Sequence, residues 1–312
     1  MKLEVRDLRV YFYLKRGAVK AVDGVDLEVD KGEVVGLAGE SGSGKSTIGY
    51  SIMRLVPPPG KIVSGKILFD GEDILALDEK TFSKKYRWKK IAMVFQGSMS
   101  GFTPVFKIRD QIVEVLKVHG WKGDYDERVN ELFKMVNMDP SLADKYPHEL
   151  SGGQKQRAFI AMALALNPEL LIADEPTTAL DVIVQEYVVN LLKKLNKELN
   201  LSIIFITHDL ALLSEIADRV YLIYAGKVME SGPSEVIFKS PRHPYTKLLI
   251  ASIPSLDKKE VAEIPGFMPD LSNPPPGCRF NTRCPFVKDI CKKEEPKFKD
   301  FPDGDRVACW LY

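Results

Sequence analysis

An α/β fold is what this chain predicts, and three features carry the expectation. Runs such as ELLIADE and LSIIFITHD are continuously aliphatic or β-branched rather than alternating, as parallel strands buried on both faces require. Stretches with helical spacing separate them, so strand and helix alternate. A glycine-rich turn near residue 40 then joins one such strand, EVVGLA, to a helix. The 312 residues suggest about two domains, and 45% apolar with 28% charged residues is ordinary for a soluble protein.

Residues 2–37 read as an antiparallel start followed by a buried strand, because LEVRDLRVYF and VDLEVDKGEVVGLA alternate around Asp-Gly and Lys-Gly turns. KILFDGEDIL predicts a hairpin turning at Asp70-Gly71, and RVYLIYAGKV another at Ala225-Gly226. Helices are expected over 109–138, with Ile112, Val115, Leu116 and His119 on one face, and over 151–166, stopped by Asn167-Pro168. After residue 240 prolines cluster and periodicity fades, which places a domain boundary near residue 239 and predicts a small, irregular tail without a core of its own.

Charge and hydropathy narrow the function. With 44 basic against 43 acidic residues, the chain offers no electrostatic footprint for nucleic acid, so none is expected as the main partner. The N-terminus MKLEVRDLRVYFY lacks the apolar stretch of a secretory signal, and no apolar run reaches the roughly 18–20 residues that span a bilayer. A soluble, cytoplasmic chain follows, with any membrane role passing through a partner.

Gly39-Glu40-Ser41-Gly42-Ser43-Gly44-Lys45-Ser46 fits G-x-x-x-x-G-K-[ST] in the strand-to-helix context the motif needs. Its glycines permit positive φ, so successive N–H groups can face phosphate oxygens, and the helix N-terminus adds about half a positive charge. Lys45 would bridge the β- and γ-phosphates and the Ser46 hydroxyl would hold Mg²⁺. At the carboxyl end of ELLIADE, Asp174 suits the Mg²⁺ shell, and Glu175, pointing to the other side, could activate water. FITHD brings Thr207 and His208 to a third strand end, where His208 could polarise the γ-phosphate. A chance glycine-rich turn, a solvated acidic pair and a merely exposed histidine are the bland alternatives.

GESGSGKS, Gln96 in MVFQ, LSGGQKQR, LLIADEP, Ala179-Leu180-Asp181 and THD, in that order over residues 1–238, resemble the ATPase subunits of ABC transporters. The resemblance implies a P-loop NTPase of the ABC type: an N-terminal antiparallel β-subdomain, an inserted helical subdomain over about residues 97–160, and a cassette ending near 238 before a C-terminal extension over 239–312. It implies that Phe12 stacks on adenine, with Tyr11 and Tyr13 as competitors, and that Gln96 touches Mg²⁺ or water. Gly39, Ser41, Gly42, Ser43, Gly44, Lys45, Ser46 and Thr47 would hold the nucleotide. Ser151, Gly152, Gly153 and Gln154 would meet the ATP of a second ATPase subunit in a head-to-tail pair, and Asp181 is a further nucleotide-binding candidate. An ordinary capped helix would explain Ser151 but not two glycines at positions where glycine costs a helix about 1 kcal/mol.

SPRHPYTKLLIASIPS (240–255) and PPPGCRFNTRCPF resemble the dipeptide and oligopeptide importer ATPases in particular, relatives of which carry oligosaccharides or nickel. That implies two transmembrane permease subunits, a companion ATPase, an external solute-binding protein and a place on the cytoplasmic face of the membrane. Gly97-Ser98 and Phe102-Thr103 depart from the usual Asp-Pro and Leu-Asn near the expected permease contact, which bears on partner and cargo. ABC ATPases of repair and translation are the other class considered, but the long coiled coil of the one and the twin cassettes of the other are absent here.

All four cysteines, Cys278, Cys284, Cys291 and Cys309, fall in the tail as C-x₅-C-x₆-C-x₁₇-C. A reducing cytoplasm disfavours disulfides. Four thiolates with Pro285 after Cys284 suit a [4Fe–4S] cluster. Zinc is the alternative, though no C-x₂₋₄-C pair is present, and unligated thiols are the third reading.

Overall fold

The structure, a computed structural model, describes residues 2–15, 17–253 and 264–312. The end of the 240–255 stretch, Pro254 and Ser255, therefore lies outside the described residues. Two compact units form: residues 1–30, 34–75 and 206–312 make one, and residues 31–33 and 76–205 the other.

The first unit opens with β1 (Leu3–Leu14), β2 (Gly17–Val29), β3 (Val34–Ala38), α1 (Lys45–Ile52), β4 (Gly60–Phe69) and β5 (Glu72–Asp73). An antiparallel sheet runs β2-β1-β4-β5. Leu3, Val5, Leu8 and Val10 of β1 are buried, and the step of three inside this alternation marks a register shift where Asp7 takes φ 43°. The expected hairpin between β4 and β5 turns at Asp70 (φ 48°) and Gly71 (φ 82°), the two positive angles that a tight hairpin turn demands.

The second unit holds α2 (Glu79–Lys85), β6 (Ile91–Val94), α3 (Ile108–Val118), α4 (Tyr125–Met135), α5 (Gly152–Ala163), β7 (Leu170–Asp174), α6 (Val182–Leu199) and β8 (Ser202–Ile206), with strand order β8-β7-β6 and β6 parallel to β7. The single helix expected over 109–138 is two. Gly120 takes φ 74° just past α3, and Asp124 caps the second helix by accepting the Glu127 N–H at 2.8 Å. On α3, Ile112 and Leu116 are buried while Val115 and His119 are half-buried. Helix α5 stops at Ala163, earlier than the residue 166 expected, and buried Arg128 of α4 donates to the carbonyls of Leu164 and Ala165 that this end exposes, at 3.1 Å each.

The chain then re-enters the first unit through α7 (Leu210–Ile216), β9 (Arg219–Tyr224), β10 (Lys227–Pro233), α8 (Ser234–Lys239), α9 (Pro244–Ala251), β11 (Phe298–Asp300) and β12 (Arg306–Ala308). Strands here run β11-β12-β10-β9-β3, with β3 parallel to β9. The β9–β10 hairpin turns at Ala225 (φ 48°) and Gly226 (φ 79°), as expected. The tail packs onto the rest of this unit: β11 and β12 continue the sheet from the edge of β10, and Phe280, Cys278, Cys291 and Val307 are buried. Phe280 packs edge-on to Tyr224 of β9 at 5.2 Å and tilted to Tyr245 of α9 at 5.4 Å.

Candidate functional site

In the first unit, every residue of β3 is buried, which fixes the start of the glycine-rich loop. Gly39 has φ 146°, and a Cβ there would sit 2.0 Å from the Ile223 carbonyl oxygen. Gly44 has φ 106°, and its Cβ would meet the Ala21 carbonyl oxygen at 2.2 Å. Only glycine lets the loop pass this close to neighbouring backbone. Gly44 is the N-cap of α1 and supplies no side-chain cap, so the first N–H groups of the helix keep their capacity for an anion. Buried Lys45 curls back, its Nζ donating to the carbonyls of Gly39 at 2.8 Å and Glu40 at 2.9 Å. Buried Ser43 Oγ has no hydrogen-bond partner among the described residues, which suits a loop completed by phosphate oxygens. Ser41 and Gly42 are exposed, and Ser46 and Thr47 half-buried.

The aromatic candidates differ in their engagement. Tyr11 donates its OH to Asp23 at 2.6 Å, Phe12 is half-buried against Gly60, and Tyr13 is exposed. His208 is exposed in the turn after β8, and buried Thr207 accepts the Asp209 N–H at 3.0 Å.

In the second unit, β7 delivers Asp174 fully buried. Glu175 follows with φ 47°, and its Oε2 accepts from Gln96 Nε2 at 3.0 Å and Thr178 Oγ1 at 2.8 Å. The structure thus brings Gln96 and Glu175 together, and adds Thr178, which the sequence reading missed although it stands three residues past Glu175. A carboxylate so held can orient a water molecule or take its proton.

Ser151 caps α5 in a reciprocal box: Oγ accepts the Gln154 N–H at 3.3 Å, and Gln154 Oε1 accepts the Ser151 N–H at 2.9 Å. Gly153 has a reason inside the chain, because a Cβ there would lie 2.6 Å from Val184 Cγ1. Ser151 and Gly152 are exposed. Asp181 caps α6 through the Val184 N–H at 3.0 Å. The next two residues, Val182 and Ile183, are 77% and 81% exposed. They stand off the buried stripe of Val188, Leu191, Leu192 and Leu195, the signal that could have singled them out.

The departures near Gln96 resolve into packing and surface. Gly97 adopts φ 73°. Ser98 is buried, donating to Gln156 Oε1 at 2.7 Å, and Phe102 meets Phe159 edge-on at 5.4 Å, so both lean on α5. Thr103, Val105 and Phe106 are exposed.

In the tail, Cys278 donates its N–H to the Cys291 carbonyl at 2.8 Å, and all four cysteines are free thiols. Burial pushes the Cys278 thiol up to about 12, helped by the nearby thiols of Cys309, Cys291 and Cys284. Cys309 is raised by burial and then by Cys284 and Cys291. Cys278 and Cys309 therefore feel the thiols around them. Yet no group of three His, Cys, Asp or Glu side chains among the described residues is arranged to hold a metal ion. Neither the expected [4Fe–4S] cluster nor the zinc alternative is therefore supported by a ligand group among the described residues.

Comparison with known proteins agrees with this geometry. Residues 22–178 match the ABC transporter family model. The chain belongs to the ABC transporter family. Residues 229–291 also match the C-terminal region of oligopeptide/dipeptide transporters. A dipeptide transport ATP-binding protein, DppD, of Caldanaerobacter subterraneus subsp. tengcongensis is 42% identical over 99% of this chain and 97% of its own. The oligopeptide transport ATP-binding protein OppD of Bacillus subtilis is 46% identical over 99% of this chain and 88% of its own. Among solved structures, the dimeric ABC transporter cassette MJ0796 superposes with TM-score 0.67 at 30% identity, covering 74% of this chain and 98% of that one, and a second structure of it is a post-hydrolysis dimer with ADP and Pi. The α/β fold expected of an ABC-type ATPase is thereby established. No helix among the described residues is long and apolar enough to cross a membrane.

Proposed function

We propose that this ABC ATPase energises import of dipeptides or oligopeptides, working on the cytoplasmic face of the membrane beneath two permease subunits and beside a companion ATPase, with a solute-binding protein outside. The observation that carries the cargo class is the match of residues 229–291 to the C-terminal region of peptide transporters. Residues 1–238 form the nucleotide-binding cassette, with about 97–160 receiving the permease, and 239–312 form the extension.

ATP lies along the glycine loop, its phosphates taken by the N–H groups of 39–47, by Ser43 Oγ and by Lys45, which exchanges the carbonyls of Gly39 and Glu40 for phosphate oxygens. Phe12 stacks on the adenine. Ser46, Asp174 and Gln96 would hold Mg²⁺, which neutralises phosphate charge when bound. Glu175, steadied by Gln96 and Thr178, takes the proton of the attacking water, and His208 polarises the γ-phosphate. Ser151, Gly152 and Gly153, with Gln154 and Asp181 behind them, face the triphosphate of the companion subunit. ATP then favours the closed pair, and its hydrolysis releases it.

For the extension, the cysteines would hold a [4Fe–4S] cluster. The reading rests on four cysteines in one short segment with Pro285 after Cys284, and on the thiols of Cys309, Cys291 and Cys284 lying near enough to raise the Cys278 thiol. Anaerobically purified protein should absorb near about 400 nm; colourless protein without iron refutes the cluster.

The function is tested by reconstituting the chain with its permeases and following ATP-dependent uptake of a labelled dipeptide. Uptake that needs Lys45 supports the reading, whereas uptake of an oligosaccharide or nickel and not of peptide overturns the cargo.

A further inference from the structure

Glu40 is the second residue of the glycine loop, and each of its polar groups is held. Its carbonyl accepts from Lys45 Nζ at 2.9 Å. Its N–H donates to Tyr245 OH at 2.9 Å, and Tyr245 is fully buried. Its carboxylate receives Arg283 Nη1 at 3.0 Å on Oε1 and 2.8 Å on Oε2. Two of these three partners come from beyond residue 239.

Arg283 is only 8% exposed, and its guanidinium is engaged on all sides. Nε donates to the Pro265 carbonyl at 2.7 Å, Nη2 to the Ile264 carbonyl at 3.3 Å, and Nη1 also to Tyr224 OH at 3.2 Å. The planar fork is thus fixed before it reaches Glu40, which makes it a rigid prop rather than a mobile surface charge. Met268 of the extension also lies near the loop: its Cε would be the nearest heavy atom, at 3.6 Å, to a Cβ placed on Gly42.

Geometry of this kind has a consequence for the nucleotide. The carbonyls that hold Lys45 belong to Gly39 and Glu40, so whatever sets Glu40 also sets the starting position of the lysine. We propose that Arg283 is a positioning residue of the ATP site: by fixing Glu40 it holds the phosphate loop in its binding shape, and the extension is a working part of the nucleotide pocket. This rests on the ATP site proposed above and extends it to residues outside the cassette.

The test uses the full chain, with MgATP binding measured by calorimetry and turnover measured in the assembled transporter. Arg283→Gln should weaken ATP binding and raise KM by about tenfold while kcat stays within about twofold. Arg283→Lys, which keeps the charge but not the fork, should recover only part of the loss. Glu40→Gln should match Arg283→Gln, and the double variant should be no worse than either single one, because both remove one contact. Arg306→Gln, which breaks an exposed pair with Asp300 in the same extension, should leave KM unchanged. Additive losses, or a fall in kcat or melting temperature with KM unmoved, overturn the proposal. Should Arg283→Gln fail to fold, Glu40→Gln carries the same prediction from the loop side. Wild type and Lys45→Ala run alongside: ATP binding that Lys45→Ala abolishes upholds the ATP site whatever Arg283 does.

Discussion

Two glycine-rich helix starts in this chain look alike on paper and are built differently. At the phosphate loop, Gly39 and Gly44 are forced by backbone carbonyls at 2.0 and 2.2 Å, and the lysine is folded into the loop's own carbonyls. At the turn into α5, Ser151 and Gln154 cap each other, Ser151 and Gly152 are exposed, and Gly153 is crowded by a valine side chain. The first is a cavity shaped by its own chain. The second is an exposed helix start whose cap is satisfied within its own chain, which fits the role proposed for it against a companion subunit.

The largest effect separating the two should come from adding one methyl group to each. Gly39→Ala drives a Cβ into backbone at a positive φ that alanine avoids, and we expect a loss of about 3 kcal/mol or more with ATP binding abolished. Gly153→Ala meets side-chain atoms of Val184 rather than backbone, so the roughly 1 kcal/mol helix preference of alanine is set against the displacement of a stiff β-branched side chain. Its melting temperature should hold and its ATP binding as a monomer should be intact, while ATPase activity of the assembled pair falls. Equal loss of monomer binding in both variants would erase the contrast.

Glu175→Gln comes next. Amide replaces the carboxylate that Gln96 and Thr178 hold, so kcat should drop by about 10²–10⁴-fold with ATP still bound. Single-turnover kinetics at saturating ATP measure it, and turnover at the wild-type rate would remove Glu175 from its role. Ser151→Ala is smaller in stability, about 1 kcal/mol for a lost N-cap, yet it should lower activity of the assembled pair while sparing ATP binding by the lone chain.

Legibility in the sequence follows the range of the contact. Both hairpins could be read because Asp70-Gly71 and Ala225-Gly226 carry their own turn chemistry. The phosphate loop and the strand-end acids were equally plain, since strand, glycines, lysine and carboxylates follow each other locally. The break between α3 and α4 was missed although Gly120 and the Asp124 cap announce it, because the apolar spacing on either side stays in phase across them. Nothing local betrays that Gly153 answers to Val184, that Arg283 reaches Glu40, or that Arg306–Ala308 extends the edge of β10. Each depends on a partner tens to hundreds of residues away, which periodicity does not register.

The smallest prediction concerns the seam where the extension meets β10. Glu230 is buried there, accepting the N–H groups of Arg242 and His243, the latter at 3.0 Å, with Asp305 of the extension close by. Burial raises its pKa from 4.5 to about 7, with the Asp305 charge adding to the rise. Because the folded value lies above the unfolded one, the folded state holds the extra proton. Glu230 thus contributes stability that is complete below about pH 4.5 and declines as pH climbs through 7. Glu230→Gln cannot titrate, so the difference in melting temperature between wild type and variant should change steadily between these two values and level off above them. Arg242, whose Nη1 meets Asp305 Oδ2 at 2.7 Å, keeps its charge throughout and cannot produce that window. A difference that stays flat from pH 4.5 to 7.5 would locate the pH response of this seam elsewhere.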